Sequence, residues 1–188
     1  MQFKMNKDLK KRIFTSLVLT LILFTMFINN YVLGYFSLIA GVFSILEFFN
    51  MNLIIFKKNN IKQFLYSLLF ILYIFIFFSL FLFLSSFIHL KILIFVILLI
   101  CVASDVGGFV FGKIFKGAKL TKISPNKTIS GALGSLIFSS IFAVLIIYYL
   151  TNSFDVFIFV IALFTSIGCQ IGDLFFSFLK RKSNLKHT

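Results

Sequence analysis

The chain is expected to be all-α: a polytopic membrane helical bundle of about six transmembrane helices, with both termini cytoplasmic. Three observations lead there. Of its 188 residues, 61% are hydrophobic and only one is proline, and the mean hydropathy is +1.10. The apolar runs reach about twenty residues, the length a helix needs to cross some 30 Å of hydrocarbon. None of them alternates polar with apolar, so backbone groups denied water are satisfied within helices and not in a closed barrel.

Taken in order, the apolar runs place spans at about 13–29, 32–56, 63–86, 92–112, 131–150 and 155–179, within a single integral-membrane domain 1–188. The first run follows MQFKMNKDLKKR and lacks a small-residue cleavage site near its end, so it reads as a retained span. The connections divide by charge. The N-terminal arm carries Lys4, Lys7, Lys10, Lys11 and Arg12, and the second connection carries Lys57, Lys58 and Lys62. The fourth carries Lys113, Lys116, Lys119, Lys122 and Lys127, and the tail carries Lys180, Arg181, Lys182 and Lys186. Only Lys91, one of 18 cations, falls on the other side. This positive-inside pattern sets both termini and the 113–130 loop in the cytoplasm. It also accounts for the net charge of +13 without a nucleic-acid partner. Cys101 and Cys169 lie in apolar runs, where thiols behave as small hydrophobes.

The 113–130 loop is the one sizeable polar connection. Pro125 belongs in a turn, and lysines alternate with Ser124, Asn126, Thr128 and Ser130. Such a segment is either a basic linker held against anionic headgroups or a loop that presents ammonium, hydroxyl and amide donors to phosphate.

Five acids complete the picture. Asp8 and Asp155 stand at helix ends, and Glu47 is ten residues from Lys57, where water or a lysine can reach it. Asp105 and Asp173 are different, since an aspartate near the bilayer centre costs about 2.5–3.5 kcal/mol unless partnered. Asp105 precedes Lys113 by eight residues and Asp173 precedes Lys180 by seven, so both sit about 10–12 Å below the basic boundary. Their helices run in the same direction in a six-span topology, which lets the two carboxylates face each other. Ser166, Gln170, Asp173, Ser177 and Lys180 then form one polar stripe expected to line something wet. Gly107, Gly108 and Gly112, after Ser104 and Asp105, permit close approach of a helix or a ligand, and such glycine faces would also allow a homodimer. Two carboxylates beneath lysines and hydroxyls suit Mg²⁺, which takes a few carboxylate oxygens plus water and substrate phosphates. The chemistry this supports joins a cytosolic phosphate compound to a lipid. The same stripe equally describes a proton or ion path in a small transporter or channel.

SDVGGFVFGK (104–113), KLTKISPNKTISG (119–131) and QIGDLFFSFLKRK (170–182) resemble, in order and spacing, the cytoplasmic-side motifs of the phosphatidate cytidylyltransferase, or CDP-diacylglycerol synthase, family. The likeness covers about 80 residues of the C-terminal half. It implies transfer of CMP from CTP to phosphatidate with release of pyrophosphate, assisted by Mg²⁺, in a bacterial inner (plasma) membrane with the active face cytoplasmic. By position it implies Asp105, Asp173 and Lys127 as catalytic groups, with the two aspartates associated with metal. Lys119, Ser124, Asn126, Lys127, Thr128, Ser177, Lys180 and Arg181 become phosphate, nucleotide or lipid contacts. Another lipid-headgroup transferase or kinase is the neighbouring reading, although the clustered Asp-Gly and Asp-x-x-x-Asp acids of CDP-alcohol phosphotransferases are absent. Two departures stand out. Ser130 occupies a place where many members carry glutamate. His187 stands where the family has aspartate, and the acids beyond it do not appear before Thr188. The resemblance therefore implies a C-terminally truncated member, with low or no activity as it stands.

Overall fold

A computed structural model describes residues 18–19, 21–121, 124, 127–153 and 155–183. Among them the fold is entirely helical. Residues 18–19 and 21–28 form the described part of α1, followed by α2 (Asn30–Ile55), α3 (Asn60–Ser85), α4 (Ile88–Phe115), α5 (Ile129–Thr151) and α6 (Val156–Lys182). The last five are each long and apolar enough to cross a membrane, which makes this a multi-pass membrane protein. Polar side chains set the breaks. Asn29 Oδ1 accepts from Tyr31 N at 2.9 Å and Asn59 Oδ1 from Lys62 N at 3.0 Å, at the starts of α2 and α3. Thr128 caps α5 and Asp155 caps α6, while Asn152, at φ 51°, ends α5 in the left-handed region. Several helices continue past the expected spans: α4 runs on to Phe115 and α6 to Lys182. Their last turns are basic, which suits a helix C-terminus and needs no apolar surroundings.

The chain divides into two compact units, Met1–Glu47 with Leu68–Lys91, and Phe48–Ser67 with Ile92–Thr188. In the first, Gly41 on α2 lets Phe78 and Ile74 of α3 come close. Lys91, the lone cation expected on the outer side, is 5% exposed. Its ammonium donates to Asn30 Oδ1 at 2.6 Å and lies 5.5 Å from the Phe27 ring centroid, so its desolvation is partly offset.

In the second unit, α4, α5 and α6 surround a small apolar core of Val96, Ile100, Ala143, Ile158 and Ala162. The α4–α5 contact is made by backbone. A Cβ on Gly131 would lie 2.8 Å from the Gly108 carbonyl oxygen, one on Gly107 would lie 2.6 Å from Phe138 Cβ, and one on Gly134 would collide with Phe111. Lipid tails are as apolar as leucine, so association inside a bilayer depends on such close fits and on interhelical hydrogen bonds. One of these bonds joins Ser104 on α4 to Ser166 on α6, both fully buried, at 2.7 Å. The turn between α2 and α3 is tied by Asn52 Nδ2, which donates to Gln63 O and Ser67 Oγ at 2.7 Å each.

Candidate functional site

The loop after α4 is folded back on itself. Lys119 pairs antiparallel with Thr128, Leu120 N donates to Lys127 O at 2.8 Å, and Ile129 N donates to Ala118 O at 2.9 Å. Gly117 N donates to Ser130 Oγ at 3.2 Å, and a Cβ on Gly117 would lie 2.7 Å from that same oxygen. Lys127 N donates to Ser124 O at 3.0 Å and Ser124 N to Thr121 Oγ1 at 3.2 Å. These bonds hold Lys127 and Thr128 over the start of α5. The described part of the loop is thus tied to the start of α5.

Beneath it lies a cavity of about 350 Å³, bordered by α4, the loop, α5 and α6. Asp105 from α4 and Asp173 from α6 both line it, together with Lys127 and Thr128. Lys127 Nζ sits 2.8 Å from Asp173 Oδ2. The first turn of α5 also borders the cavity, through Gly131 and Ala132. Thr128 Oγ1 accepts from Gly131 N at 3.1 Å, and the aligned peptide dipoles make this end of a 23-residue helix positive. Gly108 and Gly112 do two things at once, packing against α5 and lining the cavity. A Cβ on Gly112 would lie 3.0 Å from Thr128 Oγ1, whereas one on Gly108 would make ordinary contacts at 3.5–3.6 Å.

The expected site residues divide into three groups. Asp105, Asp173, Lys127 and Thr128 meet at the cavity. Lys119, Ser124, Ser177, Lys180 and Arg181 do not line it. Lys119 is exposed beside Thr128, and Ser124 is buried and holds the turn. Ser177 lies one turn past Asp173, and Lys180 and Arg181 occupy the last turn of α6. Asn126 lies outside the described residues. The polar stripe on α6 needs a correction. Its lower end, Ser166, is 0% exposed and bonded to Ser104, so it makes a contact between helices, and only Gln170 and Asp173 of the stripe border the cavity. Gln170 lines the cavity as a member of that stripe, and Lys113 and Ser135 line it although the sequence singles out neither as a site residue. Gln170 had a legible signal, standing three residues before Asp173 on one helical face. Lys113 had been read only as a boundary marker, and its ammonium lies 5.7 Å from the Phe109 ring centroid.

Among the described residues no cluster of three or more His, Cys, Asp or Glu exists. A divalent cation here would have two carboxylates, with hydroxyl and amide oxygens nearby, and would complete its shell with water and substrate phosphate. That donor set, all hard oxygen, fits Mg²⁺ and not a thiophilic or imidazole-seeking metal. The cavity's ionic lining balances, two carboxylates against Lys113 and Lys127. A polyphosphate entering alone would add uncompensated negative charge.

The model of the cytidylyltransferase family matches residues 1–188. The chain belongs to that family. Curated members align with about half of it. A phosphatidate cytidylyltransferase of Rickettsia felis is 38% identical over 48% of this chain and 44% of its own length. One of Helicobacter pylori is 35% identical over 48% and 34%, and one of Staphylococcus haemolyticus is 33% identical over 47% and 35%. The match thus spans less than half the length of these relatives. No solved structure matches.

Proposed function

We propose that the chain transfers CMP from CTP to phosphatidate, giving CDP-diacylglycerol and pyrophosphate, at the cytoplasmic face of a bacterial plasma membrane. The observation that carries this reading is the meeting of Asp105, Asp173, Lys127 and the α5 N-terminus around one cavity in a chain of the cytidylyltransferase family. The names of the aligned relatives support the choice of substrates.

In the reaction a phosphatidate oxygen attacks the α-phosphorus of CTP, and the bond from that phosphorus to the bridging oxygen breaks with its electron pair leaving on pyrophosphate. Catalysis of such transfers is chiefly positioning and charge stabilisation. Asp105 and Asp173 would hold Mg²⁺, which would supply charge neutralisation for the leaving pyrophosphate. Lys127 and Lys113 place ammonium groups at the same cavity, and the positive end of α5 adds N–H donors suited to phosphate oxygens. Lys127 is paired with Asp173. Once that carboxylate is engaged elsewhere, the ammonium is released to the nucleotide. Phe109 and Leu120 give the cavity an apolar edge for the glycerol end of the lipid. Lys180 and Arg181, two turns above Asp173, suit the approach of an anionic headgroup.

The test supplies labelled CTP, phosphatidate and Mg²⁺ to membranes carrying the chain, both as it stands and with the C-terminal signature of an aligned relative appended from position 187. Label in lipid that disappears with Asp173→Asn supports the reading. No lipid label in either form, or label untouched by Asp173→Asn, overturns it. An ion-path reading predicts instead a flux that needs no nucleotide.

A further inference from the structure

The side chain of Gln170 belongs to a closed hydrogen-bond triangle with α5. Ser135 Oγ donates to Ala132 O at 2.8 Å. Gln170 Nε2 donates to Ser135 Oγ at 2.6 Å and to Ala132 O at 3.3 Å. The hydroxyl hydrogen of Ser135 is already committed, and a backbone carbonyl can only accept, so both partners demand a donor from the amide. Its nitrogen must face α5, and the flipped amide would set oxygen against lone pairs on both. The planar amide then directs Oε1 away from α5.

That oxygen accepts from no described residue, and every buried side-chain N or O among the described residues has a partner. It is therefore solvent-accessible, on a residue that lines the cavity with Asp105 and Asp173. Asp173 stands one turn further along the same face of α6, at the spacing where side chains of a helix meet. An uncharged oxygen, its direction set by two hydrogen bonds and placed beside two carboxylates, is a ready hard-cation ligand.

We infer that Gln170 Oε1 is the third protein oxygen on the divalent cation held by Asp105 and Asp173, with Ser135 as its positioning residue. The inference rests on the cation site proposed above. The choice of an amide has a physical reason. A third carboxylate would hold the ion but leave the lining negative and repel polyphosphate, whereas an amide oxygen completes coordination without adding charge.

Europium(III), an oxygen-seeking substitute whose excited-state lifetimes in H₂O and D₂O count its bound waters, tests this on the purified full chain in lipid nanodiscs. Gln170→Met keeps the side-chain length but lacks the oxygen, and it is expected to raise the water count by about one. Gln170→Ala should do the same, and serves if the methionine variant is not monodisperse. An unchanged count in these variants, while Asp173→Asn still abolishes europium binding, overturns the assignment of Gln170 and leaves the cation site standing. Europium binding that survives Asp173→Asn removes the cation site itself, and this inference with it.

Discussion

The ammonium of Lys127 lies 2.8 Å from Asp173 Oδ2, so a loop residue and an acid 46 positions later share one ion pair at the rim of the cavity. Its side chains are 30% and 58% exposed. A pair this open is worth about 0–1 kcal/mol, too little to explain it as a structural clamp. Lys127→Met is accordingly expected to leave thermal unfolding nearly unchanged while lowering CMP transfer about 10²–10³-fold, the usual cost of losing one preorganised charge at a reacting phosphate. Unfolding in detergent and transfer in membranes, run side by side, check both halves.

The same pair sets a competition. With Lys127 present, a divalent cation has to displace an ammonium from Asp173. Without nucleotide, Lys127→Met should therefore bind Mn²⁺ more tightly than the parent chain, because a like charge has gone. With CTP present the order should reverse, because the released ammonium no longer meets the phosphates. Mn²⁺ titration with and without CTP reads this, and a variant weaker in both conditions would contradict it.

The glycines are not equivalent. A Cβ on Gly134 collides with Phe111, and one on Gly131 meets the Gly108 carbonyl. Gly134→Ala should cost about 1–3 kcal/mol, as overpacking does, and should distort the cavity wall. Gly168→Ala and Gly172→Ala meet nothing within 4 Å and should be neutral or stabilise by about 0.5–1 kcal/mol, since alanine restrains a helix better than glycine. Melting temperatures of the three variants make the comparison.

The buried Lys91 ammonium donates at 2.6 Å to Asn30, which is itself exposed. Asn30→Leu leaves a desolvated ammonium without that acceptor and should cost about 1–3 kcal/mol. Lys91→Met alone should cost less, and the double variant should recover much of the loss from Asn30→Leu. A double-mutant cycle of unfolding free energies checks the coupling.

Ser104 and Ser166, hydroxyls 2.7 Å apart, show where reading a stripe from one helix goes astray. Polar residues at steps of three and four on α6 mark a face, but a face can meet water or another helix. Here Gln170 and Asp173 meet the cavity and Ser166 meets α4. Their coupling in a double-mutant cycle is expected to be about 0.6 kcal/mol, typical of interhelical hydrogen bonds in membranes.

Composition and hydropathy alone determined the helical class, because apolar runs of spanning length admit no other backbone-satisfying structure in a bilayer. They also singled out Asp105 and Asp173, because an acid inside such a run is too costly to be incidental, and counting residues to the nearest lysines matched their depths along α4 and α6. What depth could not provide was rotation and neighbourhood. That Lys127 rather than Lys119 reaches Asp173, that Ser124 holds the turn, and that Ser135 locks Gln170 all depend on where α5 inserts beside α4 and α6. The interlocked glycines 107, 108, 131 and 134 decide that insertion through contacts between segments more than twenty residues apart. Such contacts leave no periodic trace in either segment, so only the assembled helices reveal them.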